Sequence, residues 1–229
     1  MRLGGFMLIS TQKNHVERLC EIHHFNSIFS KALLPYVEIH TFQKKESLSQ
    51  EGEPFPYLYY MVKGKAKVYM THKNGHRTLV LFAEAPCFLG EMSLLEVEPF
   101  AKGVTAMDDI TCLALPLATC KSILLDDTIF LRNLSRILAE KARNRSETLA
   151  KSYAYPFENR FAAFILISAS DGVYNEMHTE VAEFLNVSYR HLLFTLQDFV
   201  VKGVLEKEGR NYIIRNYEFL EKLRDEIVD

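Results

Sequence analysis

The spacing of apolar residues changes period at recognisable points along the chain. Residues 11–34, TQKNHVERLCEIHHFNSIFSKALL, set Val16, Leu19, Cys20 and His23 three and four apart, with Ile28, Leu33 and Leu34 following, which predicts helix. After Pro35 the pattern becomes two-residue alternation in short segments as far as Pro116. Glu51-Gly52-Glu53-Pro54, Lys63-Gly64, Asn74-Gly75, Ala85-Pro86 and Asp108-Asp109 divide those segments. Many short strands at regular turn spacing predict a sandwich or barrel-like β domain. Asn74-Gly75, between KAKVYMTH and HRTLVLF, is a hairpin signal because both residues tolerate positive φ.

From Asp126 the alternation stops. DDTIFLRNLSRILAEKARNRSETLAKSYAY contains neither Gly nor Pro and carries Leu131, Leu134, Leu138, Ala142 and Leu149 at helical intervals. Asp126 and Asp127 suit the positive end of a helix dipole. A helix of this length, on the order of 40 Å, needs a partner for its apolar stripe, and a second copy of itself is the simplest. Lys141 to Glu147 interrupts that stripe, so a continuous coiled coil is not expected there. Pro156 ends the helix, since the residue before proline disfavours the α region. FENRFAAFILISASDG then reads as a compact helix stopped at Asp171-Gly172.

The stretch TEVAEFLNVSYRHLLFTLQDFVVKGVLEKEGRNYIIRN, Thr179 to Asn216, raises the functional question. Thr179 is placed to cap a short helix with Val181, Ala182 and Leu185 facing inward, and Asn186-Val187-Ser188 forms a turn. Ser188 then caps a second helix, Tyr189 to Lys202, by accepting a backbone N–H. Leu192, Leu193, Leu196 and Phe199 form its expected buried stripe, while Tyr189, Arg190, His191 and Phe194 fall at the outward N-terminal end, where a helix-turn-helix contacts bases. Gly203 closes the helix. VLEKEGRNYIIR alternates around Glu208-Gly209, a hairpin whose tip carries Arg210, the kind of wing that meets phosphates. The same pattern also fits an amphipathic helical hairpin of purely structural role, and Glu176 to Arg215 carries no basic excess.

Composition narrows the classes. The chain has 229 residues, 48% of them hydrophobic and 24% charged, with a formal net charge of −2, as in an ordinary globular protein of two domains. Near-neutrality weighs against a nucleic-acid partner only mildly, because the local field decides. The four cysteines, Cys20, Cys87, Cys112 and Cys120, form no C-x-x-C pair and predict reduced thiols. MRLGGFMLIS is interrupted at once by TQKNH, too early for a signal-peptide core, and no apolar run reaches membrane-spanning length. A soluble cytoplasmic protein without a membrane partner is expected. No P-loop, G-x-S-x-G, H-E-x-x-H or clustered carboxylate pair appears, so no enzyme is expected. Cys20, His23 and His24 lie within one helical turn, yet two soft ligands without a third nearby predict an ordinary helix face. No metal and no cofactor are expected. Cys87, Cys112 and Cys120 sit in apolar contexts and read as inert core thiols.

The order of parts, a Gly-punctuated β-roll, a long helix and a winged helix-turn-helix, resembles the Crp/Fnr family of bacterial transcription regulators over nearly the whole chain. CFLGEMSLL, Cys87 to Leu95, is similar to that family's effector-pocket strand and turn. EVAEFLNVSYRHLLFTLQDFVVKGVLEKEGRNYII is similar to its helix-turn-helix and wing. The resemblance implies an α+β fold: an N-terminal helix and antiparallel, jelly-roll-like β-roll over 1–125, a long dimerisation helix over 126–155, and a winged helix-turn-helix DNA-binding domain over 156–229. It implies a homodimer on a near-palindromic double-stranded operator, with RNA polymerase as the expected partner of an activator. Ser188, Tyr189, Arg190, His191 and Phe194 are carried over as DNA-facing positions. The family's cyclic-AMP-responsive member has Arg, Glu and Arg where this chain has Tyr189, Arg190 and Phe194, so a different operator is implied.

The implied effector pocket also departs from the family. Cyclic-nucleotide sensors follow a Gly-Glu pair, nine or ten residues on, with an Arg that neutralises the cyclic phosphate. Here Gly90, Glu91 and Met92 stand, but Phe100 and Ala101 occupy the place of that Arg, with Lys102 the nearest cation. Arg145 and Ser146 replace the adenine-contacting Thr-Ser of the long helix, with Arg145 either a counter-charge or simply solvated. A small effector of unknown identity, other than cyclic AMP, or no effector is implied. An N-terminal iron–sulfur cluster is not expected, since only Cys20 lies in that region. The rival reading is a β-roll small-molecule sensor whose helical tail mediates protein contacts rather than DNA binding.

Overall fold

A computed structural model of the chain describes residues 7–227 apart from Asn74, His76 and Pro99. It divides into two compact units, the first reaching Glu140 and the second beginning at Lys141, with Arg77–Leu79 grouped with the second.

The first unit opens with β1 (Leu8–Ser10) and α1 (Lys13–Ile22). The expected helix over 11–34 is shorter than its periodicity suggests. His24 sits at φ 50° and breaks it, and Phe25–Ile28 and Leu34–Tyr36 continue as separate 3₁₀ turns. The break lets Phe25 and Phe29 turn inward, their rings 4.9 Å apart. The apolar spacing reflects separate buried anchors, Val16 and Cys20 on α1, Phe25 on the first 3₁₀ turn and Leu33 just before the second, not one continuous helix.

There follow β2 (Glu38–Phe42), β3 (Ser47–Ser49), β4 (Tyr57–Lys63), β5 (Lys65–Thr71), β6 (Arg77–Glu84), β7 (Cys87–Leu89), the short α2 (Glu91–Leu94), β8 (Gly103–Ala106) and β9 (Ile110–Pro116). They form a sheet of order β1-β2-β9-β4-β7 and another of order β3-β8-β5-β6. Gly75, at φ 81°, lies in the β5–β6 connection as the hairpin signal expects, while Asn74 lies outside the described residues.

Alternation assigns each side chain of the first sheet to a face. Phe42, Tyr59, Met61, Ile110, Cys112 and Ala114 share a core with Ala66, Val68, Val104 and Ala106 of the second sheet. Ile39, Leu58, Leu113 and Leu115 point the other way, into a core with Phe25, Phe29 and the following helices. Those helices are α3 (Leu117–Leu125) and the start of α4 (Thr128–Ala154). Asp127 caps α4, accepting the N–H groups of Ile129 and Phe130 at 3.0 Å each. Phe130 and Leu134 are buried in the helix-side core, whereas Leu149 stands exposed near the far end of α4.

The second unit contains α5 (Phe157–Ser168), β10 (Val173–Tyr174), α6 (His178–Phe184), α7 (Tyr189–Val201), β11 (Leu205–Glu208), β12 (Asn211–Ile214) and α8 (Tyr217–Asp225). Its sheet has order β10-β12-β11, so the expected hairpin gains a third strand. Thr179 does not cap α6, which begins at His178 after Met177 with no side-chain cap. Stacked Phe161 and Phe199, centroids 5.9 Å apart, fasten α5 to α7, and Tyr174 meets Phe161 edge-on at 5.9 Å.

Candidate functional site

The helical pair α6–α7 is positioned by backbone chemistry at every junction. After α6, Asn186 takes φ 50°. Its N–H donates to Glu183 O at 3.0 Å and that of Val187 to Ala182 O at 2.9 Å, a Schellman ending with Asn in the left-handed place. Ser188 then caps α7, its Oγ accepting from His191 N at 3.2 Å, as expected. At the other end Gly203, φ 70°, supports the same pair of bonds, Gly203 N to Val200 O and Val204 N to Phe199 O. The register of α7 is therefore fixed at both ends.

Leu192, Thr195, Leu196 and Phe199 make the buried stripe of α7. Leu193, expected there, is 37% exposed. On a helix turning about 100° per residue, position 193 stands about a quarter-turn off the stripe, and Thr195 takes the place instead. Its hydroxyl donates to His191 O at 3.2 Å, so the polar atom is satisfied.

The same rotation sorts the candidate DNA-facing residues. Arg190, Phe194, Gln197 and Val201 share an arc of roughly 60° diametrically opposite the buried stripe, and all four are exposed. Phe194, at 71%, and Val201, at 77%, are the most exposed large hydrophobics among the described residues. Tyr189 and His191 lie on the two flanks. His191 packs against Phe157 of α5, ring centroids 5.0 Å apart. Tyr189 approaches Tyr212 of β12, whose hydroxyl is pushed up by burial and by that neighbour. Arg160 reaches the turn from α5, donating to Leu185 O, and burial lowers its guanidinium below the ordinary range.

The wing closes through Gly209-Arg210, since Glu208 and Asn211 are the last paired residues, with Gly209 at φ 62°. Arg210 is exposed at that tip. The surrounding charge is sparing. Residues 156–229 hold eight Lys and Arg against thirteen Asp and Glu. Several cations are already paired, Lys202 with Asp198 at 2.6 Å, Arg215 with Glu206 at 2.6 Å and Arg224 with Asp225 at 2.8 Å. Arg190 and Arg210 form no ion pair among the described residues.

The effector-side turn lies in the first unit. Gly90 holds φ 91°, and a Cβ there would stand 2.4 Å from Tyr57 O and 2.8 Å from Phe55 Cδ1, so only glycine fits. It places the buried Glu91 and half-buried Met92 on the single turn of α2. Gly90, Glu91 and Met92 thus come together. Arg145 and Ser146 are exposed on the part of α4 that belongs to the second unit, and Ser146 Oγ is spent on Ala142 O at 3.1 Å. Where cyclic-nucleotide sensors carry a phosphate-neutralising cation, Phe100 is exposed, Ala101 is buried, and Lys102 pairs with Glu98.

A buried polar array centres on His40 in the first unit. His40 is fully buried on the face it shares with Phe42, its Nδ1 3.0 Å from Tyr59 Oη and its Nε2 2.8 Å from Glu38 Oε2. An ionised Glu38 accepts from Nε2–H, which leaves Nδ1 to accept from the Tyr59 hydroxyl. Alternation in VEIHTF would have placed His40 inside, but nothing in the sequence named its partners.

The thiols are held back by burial. The Cys20 thiol is raised to about 11, and those of Cys112 and Cys120 also rise above the ordinary value. Cys112 and Cys120 are buried core as expected, the latter on α3, whereas Cys87 is only half-buried. Among the described residues no group of three or more His, Cys, Asp or Glu side chains is arranged to hold a metal. No described helix is long and apolar enough to cross a membrane.

Two facing sheets closed by helices, a 27-residue helix and a winged helix-turn-helix are the build of a transcription regulator with a cyclic-nucleotide-binding-like domain. Residues 39–127 match the cyclic nucleotide-binding domain family. The chain is 40% identical over 182 residues to the regulatory protein YeiL of Escherichia coli O157:H7, covering 80% of this chain and 83% of that protein. It is 23% identical over 189 residues to the CRP-like cAMP-activated global transcriptional regulator of Mycobacterium tuberculosis, covering 78% and 84%. In fold it is similar to TTHA1359, a transcriptional regulator of the CRP/FNR family from Thermus thermophilus, with a TM-score of 0.63 at 16% identity over 82% of this chain and 98% of that one. The chain belongs to the Crp/Fnr family of transcription regulators.

Proposed function

We propose that this regulator is a homodimer that binds a near-palindromic double-stranded operator through α7 and the β11–β12 wing. The observation that carries the reading is the outward face of α7. It is exposed and opposite the buried stripe of a helix capped by Ser188, it bears Arg190, which forms no ion pair among the described residues, and the same unit presents Arg210 at the wing tip. Residues 1–125 act as the sensing domain, 126–155 as the dimerisation helix and 156–229 as the reading domain. Two copies place their α7 helices in successive major grooves, half-sites about 34 Å apart. Arg190 donates two hydrogen bonds to O6 and N7 of a guanine, Ser188, Tyr189 and His191 frame it, and Arg210 meets a phosphate. An activating role adds a contact with RNA polymerase.

The effector is a small molecule other than cyclic AMP, or none. Lys102 is engaged by Glu98, and neither Phe100 nor Ala101 offers a charge to a cyclic phosphate. Selection of bound sequences from a random duplex library, with purified full-length protein and no added ligand, tests the whole reading. Recovery of a near-palindrome, and loss of its guanine preference in Arg190→Ala, is the expected result. Failure of the wild-type protein to enrich any sequence, with or without a panel of small molecules, would favour the sensor whose helical tail contacts protein instead.

A further inference from the structure

The outward face of α7 is chemically mixed in a way that a cation-only reading head is not. Arg190 occupies its first turn, and Phe194 follows one turn later on the same line, with Gln197 beyond it. Four residues of helix advance about 6 Å, close to two base-pair steps. The Phe194 ring is 71% exposed and its arc also holds the exposed Val201, so the outward line carries apolar surface next to the guanidinium. An apolar protein partner would cover Phe194 but bury Arg190 without a counter-charge, which is strongly unfavourable. The floor of the major groove offers both partners at this separation: guanine O6 and N7 for the guanidinium, and the C5-methyl of thymine for an apolar side chain.

We infer that Phe194 is a specificity-determining residue that reads the methyl group of a thymine one or two base pairs from the guanine held by Arg190. This rests on the DNA-binding reading above and adds to it the identity of a second base. Arg190 selects by hydrogen bonds and Phe194 by burial of one methyl, so the two preferences are separable. Neither residue belongs to the buried stripe of α7, and removing either leaves the fold of the unit intact.

The test uses full-length protein and the operator recovered by selection. Each thymine is replaced singly by deoxyuridine, which removes only the 5-methyl group and leaves base pairing unchanged, and affinity is read by fluorescence anisotropy. Substitution at one thymine in each half-site, within two base pairs of the guanine, is expected to weaken binding about fourfold, the worth of one buried methyl. Phe194→Ala is expected to bind the unmodified operator more weakly and to lose all sensitivity at that position. Phe194→Leu should retain it, and Arg190→Ala should lose guanine preference while keeping it. A flat deoxyuridine scan on a selected operator, or undiminished sensitivity in Phe194→Ala, overturns the role of Phe194 and leaves DNA binding standing. Failure to select any operator overturns both.

Discussion

Ser30 donates twice to Asp127, from its backbone N–H to Oδ2 and from its hydroxyl to Oδ1, each at 2.7 Å. The same fully buried carboxylate accepts from Lys31 N at 3.1 Å and caps α4. One side chain therefore ties a segment nearly a hundred residues away to the start of the long helix. Burial works to raise this carboxyl, but the hydrogen bonds from Phe130, Ser30 and Lys31 together outweigh it and hold the group below the ordinary carboxylate value. Asp127→Ala is expected to cost about 3 kcal/mol, since it removes a cap and leaves buried donors unpaired. Because the folded-state value is depressed, the stabilisation is complete above about pH 4, the unfolded value, and is lost as pH falls through the folded one. Urea unfolding of both proteins at pH 7 and at pH 3 should show the difference between them shrink in acid.

His40 titrates with the opposite consequence for the charged form. Burial depresses the imidazole below its ordinary value against the upward pull of Glu38. Tyr57 and Tyr59 of β4, Cys112 of β9 and Glu38 of β2 face it, and the first three stay neutral near pH 7 because burial raises them all. Above about pH 6.5 both folded and unfolded chains hold a neutral His40. Below it the unfolded chain binds a proton that the folded one refuses, so stability falls until the depressed native value is reached. His40→Gln is expected to lose about 1–2 kcal/mol at pH 7.5 through the broken Tyr59–His40–Glu38 array. Its midpoint should then change less than that of the wild type between pH 7.5 and 5.5, as read by thermal unfolding.

Gly90→Ala combines an unfavourable φ with a Cβ 2.4 Å from a backbone oxygen. A loss of about 2 kcal/mol or more is expected, as neither strain nor overlap can be relieved by rotating a side chain. Gly75→Ala is the control, since a Cβ there meets nothing within 4 Å. A thermal shift for Gly90→Ala no larger than that for Gly75→Ala would refute this account of the turn.

Arg210→Ala should weaken operator binding by a similar factor for matched and mismatched sequences, and lower the salt slope by about one per protomer. Because Lys202, Arg215 and Arg224 are internally paired, the slope for residues 156–229 of the wild type should itself correspond to few phosphates. Anisotropy titrations between 50 and 300 mM salt measure both quantities.

The elements that were legible in the sequence are those with a clean period or an obligatory residue. The short apolar segments divided by turn residues after Pro35 mark the strands, of which β2, β4 and β9 send side chains into both cores while no residue of the edge strand β1 is buried. Ser188 and Gly203 mark the ends of α7 by backbone needs that side-chain type reveals. Leu193 was misplaced because hydrophobicity alone does not distinguish it from Leu192, while a helical wheel centred on Phe199 excludes it. The helix over 11–34 was overextended because a left-handed His24 carries no sequence signature of the kind Gly gives. His40 and Asp127 were missed as partners since hydrogen bonds that span tens of residues, such as Ser30 to Asp127, have no local pattern. At the candidate site Tyr189, Arg190, His191, Phe194 and Arg210 are all exposed, with Tyr189 and His191 also lying near Tyr212 and Phe157.

The opposition of the two faces of α7 has an evolutionary consequence. Leu192, Thr195, Leu196 and Phe199 hold the helix, and Arg190, Phe194 and Gln197 face outward, with no residue common to both sets. Substitutions on the outward arc change stability by only a few tenths of a kcal/mol, so drift there is not policed by folding. On the proposed reading of this arc as the DNA-facing surface, a duplicated copy of this gene would acquire a new DNA address through two or three codon changes, with every intermediate still a folded protein.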